Sequence, residues 1–312
     1  MNSLVLASLS LPNLVSRLPG GVAQGIIWGI MALGVYITFR LLDVADLTVD
    51  GSFTTGGAVT VMLIIAGWPA WAALLAAVVA GLLAGLVTGL LHTKLGIPAI
   101  LAGILTQFAL YSINLRIMSM KANTPVNPDK YSLFLTLRSV PGAIWKGLLL
   151  AAVLIALLYW YFGTEQGSAI RATGANPSMS RAQGININAM KVLGLSLSNG
   201  MVALSGGLMA QYQGFADINM GRGAIVIGLA AVIIGEVIFG KIFTNFGLTL
   251  LAVSIGAIIY YIVMNFVLRM GLSTDDLKLL TALVVAVFLT IPYWKGKYFT
   301  KVPVKKGGKD NA

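Results

Sequence analysis

The stretch Ala70–Leu91, AWAALLAAVVAGLLAGLVTGLL, is 22 residues long and contains no charged side chain. A helix of about 20 consecutive apolar residues crosses the hydrocarbon core of a bilayer. The stretch shows no alternation of apolar and polar side chains, which a strand of a membrane β-barrel would need. A helix also satisfies its own backbone hydrogen bonds in lipid. The stretch therefore predicts a transmembrane α-helix.

The composition extends this prediction to the whole chain. Of 312 residues, 58% are hydrophobic and 10% are charged, whereas a soluble domain carries about 25% charged residues. Mean hydropathy is +0.89. The chain has no cysteine, which excludes disulfides and thiolate sites, and its single histidine, His92, excludes a multi-histidine metal site. We expect an all-α polytopic membrane protein with no catalytic residues, no metal site and no cofactor.

Much of the net charge of +11 lies near the C-terminus. Six of the 21 basic residues fall in the tail Lys295–Lys309. A basic segment beside a membrane indicates a cytoplasmic anchor at anionic lipid rather than a nucleic-acid site. We expect one transmembrane domain over residues 1–295 and a basic cytoplasmic tail over 296–312. The first positive charge is Arg17, so the N-terminus lacks the basic start of a signal peptide and is expected to be retained.

Apolar runs predict about nine transmembrane segments. The second run is short and has Gly56 and Gly57 near its start, which favours a half-span or a broken helix. The candidate segments lie near residues 22–42, 53–67, 70–91, 98–118, 143–162, 190–210, 223–240, 247–268 and 278–293.

Glycines on the third segment predict close helix packing. Gly81, Gly85 and Gly89 repeat at four-residue spacing, which places them on one helix face. Small residues at this spacing let two helix backbones approach each other. This pattern concerns architecture rather than chemistry.

The polar stretches between the runs set the expected orientation. Segment 163–190 and the basic tail are both expected in the cytoplasm, and four predicted helices separate them, which is the even number required. Counting back places residues 119–142 and the N-terminus outside. The outer stretch Lys121–Arg138 is the expected landing site of a substrate-binding protein, and a plain connector is the alternative.

Two parts of the chain resemble each other at an offset of 171 residues. At this offset Ala32 matches Ala203, and Asp46 matches Asp217. The offset spans five predicted helices, an odd number, so the second copy would be inverted in the membrane, as in many transporters. The comparison predicts an inverted repeat with Asp46 and Asp217 at equivalent positions on opposite sides.

The segment 171–191, RATGANPSMSRAQGININAMK, carries local signals for a short cytoplasmic helix. Asn176 is a good N-cap, Pro177 fits the first helical position, and Gly184 fits the position just after the helix. These signals predict a helix over Pro177–Gln183.

A helix this short is marginal in water and needs a surface to lie on. Met179 and Ala182 can share one face, with Ser178 and Arg181 at its margins. A short capped helix in a long cytoplasmic loop is what a permease would present to a motor domain. We therefore expect the loop 163–190 to be a coupling loop.

The same loop resembles that of a known family. Gly174, Asn176, Ala182, Gly184 and Ile185 resemble the cytoplasmic loop of the branched-chain amino acid/ribose family of ABC permeases, with one alanine of the family's pair replaced. The resemblance implies that the loop docks into a groove on a separate ATPase and transmits its closure. The residues expected to couple to the ATPase are Gly174, Asn176, Pro177, Ser178, Met179, Arg181, Ala182 and Gly184.

The resemblance covers essentially the whole chain outside its termini. The branch that it resembles is paired with a lipoprotein or periplasmic substrate-binding protein and is linked to amino acids, including aromatic ones. The resemblance also implies a bacterial plasma (inner) membrane location and a solute path between two permease copies. The other stretches that carry it are Gly25–Gly34, Asp46–Phe53, Ser112–Ile117, Gly235–Glu236 and Asp276–Leu279.

Polar residues in or beside the apolar runs are candidates for a translocation path or gate. Several have a structural alternative. Asp50 can cap the next helix. Asp43 can pair with Arg40, and Glu236 can pair with Lys241. Amides in a bundle often bond across helices. The candidates are Asp46, Asp50, Gln107, Asn114, Asp217, Glu236 and Asn265.

Two other classes compete with an ABC permease. A secondary transporter driven by an ion gradient fits the repeat and the intramembrane acids, but it leaves the short capped helix unexplained. An intramembrane enzyme would have few catalytic groups, because the predicted topology separates Asp46 from Asp217. The chain has no G-x-x-x-x-G-K-[ST] phosphate loop, so a partner must hydrolyse ATP. We therefore expect the permease subunit of an ABC importer that moves an amino acid or a similar small solute.

Overall fold

The computed structural model describes residues 18–240, 242–243, 245–268, 279, 281–283, 285–287 and 290. Helices make up most of these residues, and a small antiparallel sheet lies at one end. The helices are α1 (Leu18–Tyr36, continued by a π-helical turn over Ile37–Leu41), α2 (Thr48–Ile65), α3 (Ala70–Thr93), α4 (Ala99–Ile117), α5 (Val140–Phe162), α6 (Glu165–Ala175), α7 (Pro177–Ala182), α8 (Ile187–Gln213), α9 (Ala224–Phe239) and α10 (Phe246–Leu268), and the strands are β1 (Asn123–Pro125) and β2 (Phe215–Asp217).

Seven helices of the described part of the chain are long and apolar enough to cross a membrane, namely α1 to α5, α8 and α10. The helix α2 is continuous over 18 residues and starts before the predicted run, so the expected break near Gly56 is wrong. The helix α9 is apolar but only 16 residues long, and Gly223, which precedes it, has a positive φ of 85°. Half of the ninth predicted segment, 278–293, lies outside the described residues.

Three helices form the centre of the bundle. In their apolar stretches, 83% of α1, 72% of α2 and 78% of α8 is buried, against 17% of α5. The side chains of α5 instead project outward, and Trp145 is 76% exposed. Large exposed apolar side chains on outer helices suit contact with lipid. The structure is therefore that of a multi-pass membrane protein.

The glycine stripe of α3 packs against α8, as predicted. A Cβ added to Gly89 would lie 2.9 Å from the Cα of Val192, and one added to Gly85 would lie 2.7 Å from the Cα of Ser196. Real Cβ atoms do not approach a backbone so closely, so each position excludes a side chain. The close contact between α3 and α8 is the small-residue packing expected inside a membrane.

The bundle has two distinct ends. At one end α6 and α7 lie beside the end of α1, and His92 Nε2 at the end of α3 is 3.3 Å from Lys191 Nζ at the start of α8. At the other end β1 pairs with β2, with Thr124 opposite Ala216. We call these the loop end and the hairpin end.

Candidate functional site

The short helix α7 forms as its local signals predict. The Asn176 side chain caps it, since its Oδ1 accepts a hydrogen bond from the Met179 backbone N at 3.0 Å. Pro177 is the first helical residue, and Gly184 has a φ of +81°, which suits the residue after a helix end. The helix ends at Ala182, one residue earlier than predicted.

One face of α7 is exposed in the part of the chain that the structure describes. Ser180 is 2% exposed and is the buried residue of the helix, whereas Met179 is 58% exposed. Met179 and Ala182, which were predicted to share one face, are both exposed in this single chain. An exposed methionine on a small helix is a flexible apolar contact for a partner. The exposed residues of the predicted coupling set are Asn176, Pro177, Ser178, Met179, Arg181, Ala182 and Gly184.

A second helix in the same loop, α6, was missed by the sequence reasoning. Thr164 caps it by accepting a hydrogen bond from Gly167 N at 3.4 Å, and Glu165 lies in its first turn. These two residues are a usable N-terminal signal. The low apolar content of α6 hid it from a search for spans.

The helix α6 is seated on the end of α1. Gly174 lies so close to α1 that an added Cβ would be 2.8 Å from the Cα of Leu42 and would overlap the Leu41 carbonyl oxygen. The Arg171 guanidinium lies 4.9 Å from the ring centroid of Phe246 on α10. The helix α6 and the end of α1 are therefore in direct backbone contact.

An ion pair joins α1 to α9 near the same end. Arg40 Nε lies 2.8 Å from Glu236 Oε1, and the two side chains are 58% and 26% exposed. This contact corrects the predicted pairing of Asp43 with Arg40. The predicted pairing of Glu236 with Lys241 is not tested, because Lys241 lies outside the described residues. The pairing of Arg40 with α9 arises from packing that neighbouring sequence does not reveal.

Asp46 lies in a buried polar network. It is 2% exposed. Its Oδ1 accepts from Thr48 N at 2.9 Å, and its Oδ2 accepts from Asn199 Nδ2 at 2.7 Å. Asn199 Oδ1 in turn accepts from Ser52 Oγ at 2.6 Å. The network ties the α1–α2 connection to α8.

Asp50 caps a distant helix rather than its own. Its Oδ2 accepts from Gly223 N at 2.9 Å and its Oδ1 from Ile225 N at 3.0 Å, so the carboxyl group lies at the N-terminus of α9. A carboxylate there satisfies free backbone N–H groups and complements the helix dipole. Nearby, Thr54 Oγ1 accepts from Gly221 N at 3.2 Å. The loop before α9 is thus fastened to the first turns of α2.

Three of the predicted path residues meet in one cavity. We call it the Asp50 cavity, and its volume is about 420 Å³. It lies between α2, α4 and the loop before α9, and it adds Arg222, which the sequence reasoning missed. The residues that line it are Asp50, Gly51, Thr54, Gln107, Phe108, Tyr111, Asn114, Ile218 and Arg222.

The other candidates lie elsewhere. Asn265 lines a neighbouring cavity of about 600 Å³, whose wall includes Trp28, Tyr261 and also Arg222. Asp217 belongs to β2 and accepts from Asn123 Nδ2 at 3.3 Å. The structure therefore does not gather the predicted set into a single site.

The segment 121–138 at the hairpin end carries its own ion pair. Arg138 contacts both carboxyl oxygens of Asp129, with Nη2 to Oδ2 at 2.9 Å. The guanidinium holds the pKa of the Asp129 carboxyl below its ordinary value of 3.8. The pair closes the loop between α4 and α5 at the hairpin end.

The chain is similar to known transport permeases. The family model described as "Branched-chain amino acid transport system / permease component" matches residues 18–291. The chain is 43% identical over 268 residues to the tyrosine transport system permease protein of Clostridioides difficile (strain R20291), covering 86% of this chain and 88% of that one. It is 35% identical over 271 residues to an uncharacterized protein of Rickettsia prowazekii (strain Madrid E), covering 86% and 94%. No solved structure matches. The chain belongs to the permease family of branched-chain amino acid transport systems.

Proposed function

We propose that this protein is the transmembrane subunit of a bacterial ABC importer in the plasma (inner) membrane. The observation that carries the proposal is α7, a capped helix that exposes Met179 and is anchored through α6 to the end of α1. A separate ATPase docks on α7 and supplies the hydrolysis. The loop end and the C-terminal tail are then cytoplasmic, and the hairpin end receives a substrate-binding protein.

A continuous set of contacts leads from α7 to the Asp50 cavity. Gly174 of α6 packs on Leu41 of α1, and the neighbouring Arg40 pairs with Glu236 of α9. The helix α9 has 16 residues, so it spans about 24 Å. Its N-terminus is held by Asp50. A push on α7 would therefore tilt α9 and change the cavity, which is a mechanism for alternating access.

The permease works as two copies, with the solute path between them. The Asp50 cavity opens beside exposed residues of α4 and contains Asp50, Gln107 and Arg222. Charged groups facing lipid are costly and are normally covered by protein or line a water-filled path. A second copy on this face would enclose the cavity. We propose that Asp50, Gln107 and Asn114 line the path, while Asp46 holds the bundle together.

The proposed solute is an amino acid, and an aromatic one is favoured. A relative that is 43% identical is named a tyrosine transport system permease protein. Substrate does not follow from fold, so the name supports the class of solute and the cavity must be tested directly.

We also propose that the bundle contains the inverted repeat. The two aspartates that match at an offset of 171 residues form the same turn, since Thr48 N donates to Asp46 Oδ1 at 2.9 Å and Asn219 N donates to Asp217 Oδ1 at 2.8 Å. Each is followed by an apolar helix, α2 or α9. These matching turns support two related halves.

Copurification tests the proposal. The tagged protein is extracted from its native membrane in mild detergent, and ATP hydrolysis in the eluate is measured. We expect the activity to be present, and to be lost when Met179→Glu places a charge on the exposed face of α7. Leu95→Glu is the matched control, because Leu95 is 68% exposed in the α3–α4 turn at the same end. An eluate of the unaltered protein without ATP hydrolysis would contradict the proposal.

A further inference from the structure

One polar atom in the Asp50 cavity has no partner. Asn114 is 1% exposed, and its Oδ1 makes no hydrogen bond within the part of the chain that the structure describes. Its Nδ2 makes a long contact of 3.5 Å with Gly51 O. A buried acceptor without a donor is costly, and such groups usually find a protein or ligand partner. Asn114 lines the cavity, so its carbonyl oxygen is an unsatisfied acceptor in the cavity wall.

Two opposite charges line the same cavity. Asp50 already accepts from two backbone N–H groups, but a carboxylate has about four lone-pair positions. Each of its oxygens can therefore accept one more bond. Arg222 is exposed, and its guanidinium has no ion pair among the described residues. The wall of the cavity thus combines the Asp50 carboxylate, the unsatisfied carbonyl oxygen of Asn114 and the Arg222 guanidinium.

The remaining wall is aromatic. Phe108 and Tyr111 lie one turn apart on α4 and are 72% and 43% exposed. The volume of about 420 Å³ is within the range of small-molecule sites. An occupant would meet opposite charges at one side and aromatic rings at another.

We propose that the Asp50 cavity binds the charged head group of a zwitterionic amino acid. Arg222 pairs with the α-carboxylate, and Asp50 with Asn114 Oδ1 accepts from the α-ammonium group. The side chain lies against Tyr111, with Phe108 at the exposed rim of the cavity. This inference rests on the proposed transport function and assigns its solute a site and a set of contacts.

The absence of cysteine allows a direct test. Phe108→Cys places a single thiol in the cavity wall of the full-length protein in membranes, and its alkylation by N-ethylmaleimide is timed with and without L-tyrosine, L-phenylalanine or L-leucine. We expect at least one amino acid to slow the reaction. Ser112→Cys is the control, because Ser112 is an exposed residue of α4 outside the cavity, and its alkylation should not change. If none of the three slows alkylation at position 108, the proposal is wrong.

Analogues with one charge test the zwitterion. Tyramine lacks the carboxylate and 3-(4-hydroxyphenyl)propionate lacks the amine. Both should protect the thiol about tenfold less well than L-tyrosine, since a hydrogen bond to a charged group is worth roughly that factor. Protection by the propionate equal to that by L-tyrosine would instead identify a simple anion site and overturn the assignment.

Substitutions in the Phe108→Cys background identify the contacts. Arg222→Gln and Asn114→Leu should each raise the protecting concentration about tenfold. Arg116→Gln is the matched control, because Arg116 is an exposed arginine at the hairpin end outside the cavity. If the amino acid protects the thiol in Arg222→Gln and Asn114→Leu as well as it does in Arg116→Gln, the proposal is overturned. The protection assay needs no ATPase, so it tests the site independently of the importer assignment. If the amino acid still protects the thiol but its transport does not depend on ATP, the importer assignment is refuted and the site proposal stands.

Discussion

Arg40 and Glu236 join the end of α1 to α9, with Nε and Oε1 2.8 Å apart. Arg40 is adjacent to Leu41, on which Gly174 of α6 packs. The helix α9 that carries Glu236 begins at the Asp50 cavity. The pair is therefore the contact through which motion at the loop end would reach the proposed solute site.

Breaking this pair should strongly reduce ATP-driven uptake and only slightly lower the stability of the protein. Arg40→Glu should abolish ATP-driven uptake, because it places two acids together. The cost in stability should be small, about 1 kcal/mol at most, since Arg40 is more than half exposed. Uptake and the thermal unfolding midpoint of the purified protein are the measurements.

The charge swap is the control for this pair. Arg40→Glu combined with Glu236→Arg restores opposite charges at the same positions and should recover part of the uptake. A double variant as inactive as Arg40→Glu alone would mean that the pair itself does not transmit the motion.

Asn199→Leu should weaken the bundle core. The change removes the donor to Asp46 Oδ2 and the acceptor for Ser52 Oγ, at a cost of about 2 kcal/mol for the unsatisfied buried groups. Ser52→Ala removes a single bond and should cost only about 0.6 kcal/mol, as is usual between membrane helices. Unfolding in denaturing detergent, followed by circular dichroism, compares the two. Equal losses would show that Asp46 does not depend on Asn199.

Gly85→Ala should separate α3 from α8. The added methyl group would overlap the Leu195 carbonyl oxygen, a backbone atom that cannot rotate away, and overpacking of this kind costs about 1–3 kcal/mol. Gly20→Ala in α1 is the matched control, because no atom lies within 4 Å of its added Cβ. It should leave the melting temperature unchanged or slightly raised. A normal melting temperature for Gly85→Ala would refute the close packing.

The loop between α4 and α5 should lose its ion pair in acid. The pKa of Asp129 is lowered in the folded protein by Arg138, so the pair stabilises the loop fully above the ordinary value of 3.8 and stops doing so as the pH falls through the lower folded value. Arg138→Gln should return the pKa of Asp129 toward 3.8. The titration of ¹³C-labelled aspartate carboxyls, assigned with Asp129→Asn, measures the shift. An unchanged titration curve in Arg138→Gln would contradict the pairing.

Features governed by neighbouring residues could be predicted from the sequence. The helix α7 depends on Asn176, Pro177 and Gly184, all within a few residues of it. The glycine stripe of α3 also followed from spacing alone. The coarse fold was predictable for the same reason, since a transmembrane helix is defined by its own apolar length.

Features governed by distant packing could not be predicted. Asp50 caps α9, although its carboxyl partners lie 173 and 175 residues away in the chain. Glu236 pairs with Arg40, which is distant in the sequence, because the packing of α9 beside α1 brings these two charges together. Arg222 had no local signal of function and became a candidate only when the structure placed it beside Asp50 and Asn114.

The most direct test of the central claim is the energy source of transport. The permease, with the ATPase and binding protein that copurify with it, is reconstituted into vesicles with enclosed ATP, and uptake of L-tyrosine is measured with and without a protonophore. We expect uptake to require enclosed ATP and to persist with the protonophore. Uptake that continues without ATP and collapses with the protonophore would contradict the ABC assignment and identify an ion-driven transporter.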